Sequence, residues 1–173
     1  MSVRARPPLR VRAPLAVRPP LRVEVRSSLR GPVPPTTRIA RWARAATGAR
    51  GRGAELAVRI VGTAEGRKLN LLWRGRDYPT NVLSFPAPRL GRLAAKRPLG
   101  DIVLCAPVIE REARLQHKRS EAHWAHMVVH GCLHLLGLDH EREADARRME
   151  RRERRILAGF GIADPYLEST ESA

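Results

Sequence analysis

His130-Gly131-Cys132-Leu133-His134-Leu135-Leu136-Gly137-Leu138-Asp139-His140 is the stretch on which the reading of this chain turns. Its histidines fall in the order H-x3-H-x5-H, with Gly137 between the second and third. His130 and His134 are four residues apart, so they share one face of a helix. Gly137 can take the left-handed conformation that ends a helix. The chain can then turn back and bring His140 to the same ion. Three neutral imidazoles and one open position suit a catalytic Zn2+, one ion per chain. His126 lies one turn earlier. A helix rises about 1.5 Å per residue, so His126 and His134 stand roughly 12 Å apart along the axis. Zinc–nitrogen bonds of about 2.0–2.1 Å cannot span that length. His126 and His123 therefore read as core or surface histidines. Cys132 lies two residues from each helical histidine, on another face, and is a weak ligand candidate.

The spacing equals that of the metzincin peptidases, H-E-x-x-H-x-x-G-x-x-H. Those enzymes carry a glutamate after the first histidine as general base. Here Gly131 stands in that place, so the metal site survives while peptide cleavage loses its proton acceptor.

Taken with four other segments, the histidine stretch resembles the signature of the YbeY family, bacterial rRNA maturation factors described as metal-dependent endoribonucleases. One such segment is Leu69-Asn70-Leu71-Leu72-Trp73-Arg74-Gly75-Arg76-Asp77-Tyr78-Pro79-Thr80-Asn81-Val82-Leu83-Ser84-Phe85-Pro86, and another is Leu99-Gly100-Asp101-Ile102-Val103-Leu104-Cys105. The run Glu121 to Val129 and the ending Gly161-Ile162-Ala163-Asp164-Pro165-Tyr166 complete it. The resemblance covers residues 21–167. Leu138 departs from it, standing where the family usually has tyrosine. It implies a zinc-dependent, single-strand-specific endoribonuclease in ribosomal RNA maturation and small-subunit biogenesis or quality control. The implied partners are single-stranded ribosomal RNA and the small ribosomal subunit or its proteins, in the cytoplasm. It also points to Arg74 as the catalytic cation that steadies a phosphate. Arg76 and Asn81 are further candidate RNA contacts, and Ser84 reads either as an RNA contact or as a strand-edge residue. Asp139 reads either as a cap for the last helix, or as a carboxylate that orients a ligand histidine or accepts a proton. Two other functions stay open, a metallopeptidase or other metallohydrolase, and a non-catalytic assembly factor whose zinc holds the helix end.

The formal charge of +16 is unevenly spread. Residues 1–54 hold 13 arginines against one acid, Glu24, whereas residues 55–173 hold 20 basic and 16 acidic residues. A basic arm favours an RNA partner. A chain with 30 arginines and 3 lysines is equally what a GC-rich genome encodes. Aromatic residues make up 4% of the chain, which leaves little for base stacking, so selectivity is expected from a ribosomal partner. Two cysteines make no disulfide framework. No apolar run approaches the roughly 20 residues that span a membrane, and the proline-broken first segment does not read as a signal peptide.

Residues 1–20, rich in arginine and proline, are expected to form a disordered arm, residues 21–167 a single domain, and residues 168–173 a flexible tail. Leu21–Arg26 alternates as a half-buried strand. Ile39, Trp42, Ala43 and Ala46 recur at helical spacing over 37–47. Residues 55–61 read as a strand, and a helix capped by Thr63 follows to about Trp73 with Ala64 and Leu69 inward. Val82–Phe85 is a short strand, 87–99 a loop, and Ile102–Cys105 a buried strand. Helices are expected from Pro107 to Gln116, over 119–136 and over 141–159. Mixed strands followed by helices predict an α+β fold, with a small mixed sheet of about four strands, about five helices, and the metal site at the end of a central helix.

Overall fold

The computed structural model describes residues 18–88, 97–138 and 142–167. Most of the N-terminal arm, the middle of the 87–99 loop, Asp139, His140 and the tail 168–173 lie outside the described residues.

Four strands form one mixed sheet: β1 (Arg22–Ser27), β2 (Glu55–Val61), β3 (Val82–Pro86) and β4 (Pro98–Cys105). Their order is β1-β2-β4-β3. β1 and β2 pair in parallel, as do β2 and β4, while β3 runs antiparallel to β4. Five helices accompany them: α1 (Thr36–Thr47), α2 (Thr63–Arg74), α3 (Ala106–Leu115), α4 (Ser120–Leu135) and α5 (Glu143–Ala158). The expected α+β architecture is the one observed.

Period-two alternation sends each strand's residues to opposite faces. Leu56, Val58, Ile60, Val82, Ile102 and Leu104 join the main core with α1 and α4. Leu83, Val103 and Cys105 join a smaller cluster on the other face, where α2 packs so closely that a Cβ at Gly66 would sit 3.0 Å from Cys105 Sγ. α4 is the central helix. Its residues from His123 to Val129 and from Gly131 to Leu133 are all buried. A helix enclosed this way is apolar on nearly every side, and that is why its histidines need partners from neighbouring elements.

The structure corrects three local expectations. Gly62, not Thr63, occupies the cap of α2, and no side chain bonds there. Ala64 is exposed, and Gly66 and Asn70 supply the buried stripe instead. β4 begins at Pro98, so the loop before it is shorter than 87–99. Gly100 makes that extension feasible: its φ is +140°, and a Cβ there would meet Phe85 O at 2.3 Å. Composition had suggested a loop because glycine and proline are poor strand formers; pairing on both sides of the strand overrides that preference.

Candidate metal centre

α4 ends as Gly137 requires. Gly137 has φ +81°, its N–H donates to His134 O at 2.8 Å, and the Leu138 N–H donates to Leu133 O at 3.1 Å. These two bonds are a Schellman closure. Leu138, 9% exposed, packs into the core beside it. The closure holds the last turn, which carries His134, in a defined place.

His130 and His134 point their Nε2 atoms at one another, 3.1 Å apart. Two nitrogens bound at about 2.0–2.1 Å to one tetrahedral ion stand about 3.3 Å apart. The pair is therefore within a few tenths of an ångström of what a shared cation needs.

His130 is held from behind. Its Nδ1 lies 2.8 Å from Glu153 Oε1. A carboxylate facing Nδ1 keeps the proton there and leaves the Nε2 lone pair outward, towards His134. Glu153 has no exposed surface. Burial pushes its carboxyl up, but the nearby His126 ring and the hydrogen bonds with His130 and Tyr166 outweigh burial and hold its pKa at about 2. The Tyr166 hydroxyl donates to Glu153 Oε2. Tyr166 is itself clamped by the Arg154 guanidinium, 5.0 Å above its ring. Arg154 is anchored in turn to Asp164 at 2.8 Å. The C-terminal segment thus buttresses the carboxylate that orients His130.

His126, Glu153 and His130 also form a group that could hold an ion, their ligand atoms lying within 4.8 Å of one another. His126 Nε2 is 3.7 Å from Glu153 Oε2, and both His126 ring nitrogens are buried without a hydrogen bond among the described residues. His126 is a core histidine by burial, as expected, yet its neighbours give it more than a packing role. Two locations compete for one His130 ring. The inner one uses Nδ1 and lies against the fully buried Glu153 carboxylate. The outer one uses Nε2, on a side chain that is 21% exposed. Carboxylate–imidazole–metal relays favour the outer location.

Cys132 is fully buried, and burial pushes its thiol up to about 12. It stays protonated and offers no thiolate. His123 bonds to Glu112 at 2.9 Å. Asn81 Nδ2 donates to the same carboxylate at 3.0 Å, and Asn81 Oδ1 accepts from Val82 N–H. Asn81 borders a cavity of about 250 Å³ whose walls include His126, Met127, His130, Met149 and Tyr166. Ser84 Oγ donates to Gly131 O at 3.2 Å, tying edge strand β3 to α4. Arg74 ends α2 on the opposite face of the sheet. It is exposed and has no ionic partner among the described residues. Arg76 donates to the Tyr78 hydroxyl at 3.1 Å.

Gly131 is more than a missing glutamate. A Cβ at this position would lie 3.1 Å from Ile102 Cδ1 and 3.2 Å from Ser84 Oγ. α4 packs onto β3 and β4 through this gap, and a glutamate side chain there would have to displace Ile102 or Ser84.

Sequence reasoning missed Glu153. It looked like one acid in the charged run Met149-Glu150-Arg151-Arg152-Glu153-Arg154-Arg155. The legible signal was spacing: Met149, Glu153 and Leu157 recur every four residues, and all three are buried. An acid on the apolar stripe of a helix needs a buried partner.

Together these features define a small α+β protein whose central helix carries histidines that, with a buried carboxylate, could hold a cation. The particular family follows from comparison. The model of the family described as Endoribonuclease YbeY matches residues 36–161. The chain is 59% identical over 140 residues to Endoribonuclease YbeY of Alkalilimnicola ehrlichii, covering 79% of this chain and 84% of that protein. The counterpart from Halorhodospira halophila is 56% identical over 138 residues, covering 78% and 89%. A Thermotoga maritima protein known from a solution structure shares the fold, with a TM-score of 0.51, 22% identity, and coverage of 85% of this chain and 99% of that one. The chain belongs to the YbeY family of endoribonucleases, nucleases that act on RNA.

Proposed function

We propose that this protein is a zinc-dependent, single-strand-specific endoribonuclease of ribosomal RNA maturation and small-subunit biogenesis or quality control. It works in the cytoplasm, on or near the small ribosomal subunit or its proteins. The observation that carries the reading is the His130–His134 pair, 3.1 Å between Nε2 atoms with Glu153 behind it, in a member of an endoribonuclease family.

His130, His134 and His140 hold the ion. A bound Zn2+ supplies Lewis acidity, which polarises a phosphoryl oxygen and eases ionisation of water at neutral pH. Glu153 keeps the His130 proton on Nδ1 and so keeps Nε2 available. The family resemblance assigns a phosphate contact to Arg74; it ends α2 on the other face of the sheet from His130, has no carboxylate partner among the described residues, and offers its fixed planar charge to a backbone that passes over the β3 edge towards the imidazoles. Arg76 adds a second cation for the backbone. Asn81 holds the cavity wall beside His130. Gly131 lets α4 reach the sheet; with no glutamate there, the peptidase reading has no proton acceptor.

The test is metal analysis together with RNA cleavage on the wild type and on the His134→Ala, His126→Ala and Arg74→Ala proteins. His134→Ala should lose both ion and cleavage, and Arg74→Ala cleavage only. Retention of the ion by His134→Ala, with loss in His126→Ala, would move the site inward to Glu153. Full cleavage by metal-free protein would defeat the proposal. Products ending in a 2′,3′-cyclic phosphate would identify the sugar hydroxyl as nucleophile.

A further inference from the structure

The last turn of α2 turns its apolar residues outward. Leu71, Leu72 and Trp73 are 49%, 67% and 63% exposed, and Tyr78 in the following turn is 50% exposed. The other two tryptophans, Trp42 and Trp124, are 2% and 1% exposed. Trp73 is held in place all the same. Its ring meets Phe85 edge-on, with centroids 5.5 Å apart and planes at 64°, so one edge is supported and much of the ring surface is bare. Gly75, at φ +67°, turns the chain back. Asn70 Nδ2 then donates to Tyr78 O at 2.7 Å, and Arg76 to the Tyr78 hydroxyl at 3.1 Å.

Charge indicates the occupant. Among the described residues Lys68, Arg74 and Arg76 have no acidic partner, and the one acid of this turn, Asp77, is taken by Arg67 at 2.6 Å. A patch that docked another protein through apolar packing would not need three unpaired cations around it. Aromatic rings interleaved with free cations fit a polyanion that carries π faces, which is single-stranded nucleic acid. The placement agrees. Phe85, under Trp73, lies on edge strand β3 next to Ser84, whose hydroxyl reaches across to Gly131, the neighbour of His130. A strand leaving Trp73 can pass over this edge towards the imidazoles.

We propose that Trp73 and Tyr78, with the cations Lys68, Arg74 and Arg76 of the same helix end and turn, form a base-stacking platform for single-stranded RNA. The proposal rests on the nuclease reading and adds to it how the substrate is held. It also revises the expectation that so few aromatics leave little for base stacking: Trp73 and, five residues on, Tyr78 are both exposed.

Trp73 is the only exposed tryptophan of three, so acrylamide-quenchable emission reports on it alone. The full chain is titrated with oligoadenylate, whose integrity is checked on a gel, and with polyphosphate of equal charge. Oligoadenylate should quench the exposed emission and polyphosphate should not. Trp73→Ala should bind oligoadenylate about 5- to 150-fold more weakly, while Trp73→Phe, which keeps a ring, should stay close to wild type. Equal quenching by polyphosphate, or unchanged affinity in Trp73→Ala, overturns the platform. So does burial of Trp73 in a self-associated form that sedimentation detects and Trp73→Ala dissolves. Cleavage of long RNA with no effect of Trp73→Ala sinks the platform alone. Quenching by oligoadenylate with no cleavage of any RNA sinks the nuclease reading alone.

Discussion

Replacing Glu153 by glutamine keeps the side chain's shape and removes its charge. Two quantities should move. The first is stability. The drop of the carboxyl from its ordinary 4.5 to about 2 corresponds to roughly 3 kcal/mol, at about 1.36 kcal/mol per pH unit. A depressed carboxylate contributes this fully above its unfolded value and loses it as pH falls through the folded value. The wild type should therefore weaken between about pH 4.5 and pH 2, whereas Glu153→Gln should start lower and lack that step. The second quantity is metal affinity. A glutamine amide can donate as well as accept, so His130 is no longer forced to keep its proton on Nδ1. When the proton moves to Nε2, the lone pair facing His134 is lost. Removing an orienting partner of this kind costs about 10- to 100-fold in affinity. Competition against a chromogenic chelator measures the zinc affinity, and urea unfolding at neutral and acid pH measures the stability. Wild-type zinc affinity together with an unchanged pH profile in Glu153→Gln would refute the whole account of His130.

Gly131→Ala puts a methyl group 3.1 Å from Ile102 Cδ1; crowding of about 1–3 kcal/mol opposes the roughly 1 kcal/mol by which alanine favours a helix interior, so thermal unfolding should show no gain, and a midpoint raised by the full helix preference would mean that α4 is not packed as described. Gly137→Ala must hold a Cβ at φ +81° with open space around it, so strain alone should cost about 1–2 kcal/mol, and Gly137→Asn should recover part of it. Burial depresses the His126 imidazole below its ordinary 6.5. The unfolded chain then takes up a proton before the folded one does, and the metal-free protein should lose stability as pH falls below about 6.5; a urea midpoint that stays flat from pH 7.5 to 5.5 would contradict this. Zinc at 100 times its dissociation constant should add about 2.7 kcal/mol to the folded state, read as a higher melting temperature that EDTA reverses and that His134→Ala does not show.

Much of the fold was legible because its signals are local. Alternation in Leu21–Arg26 and Glu55–Val61, helical recurrence of Ile39, Trp42, Ala43 and Ala46, and a glycine at 137 each state a backbone preference within a few residues. The errors share one cause. Thr63 has good capping chemistry, but whether its hydroxyl finds an N–H depends on where the chain arrives from β2. Gly100 and Pro98 look like loop residues until β2 and β3 pair on either side of them. Asn81 and Ser84 could have faced RNA or the fold, and only the approach of Glu112 and Gly131 engages their polar atoms inside the protein.

That two imidazoles share a helical face, and that a glycine stops the helix just beyond them, is written in the order of residues, because both follow from the 3.6-residue turn and from backbone sterics. Which way those imidazoles present their lone pairs is not, and comes from the packing of the helices. That depends on Glu153, 23 residues beyond His130 on another helix, arriving buried and charged at one ring nitrogen. It also depends on Tyr166 holding the carboxylate from the far side. Spacing along the chain sets which residues can meet, whereas the protonation and direction of each ring are set by the low-dielectric company it keeps once the helices have packed.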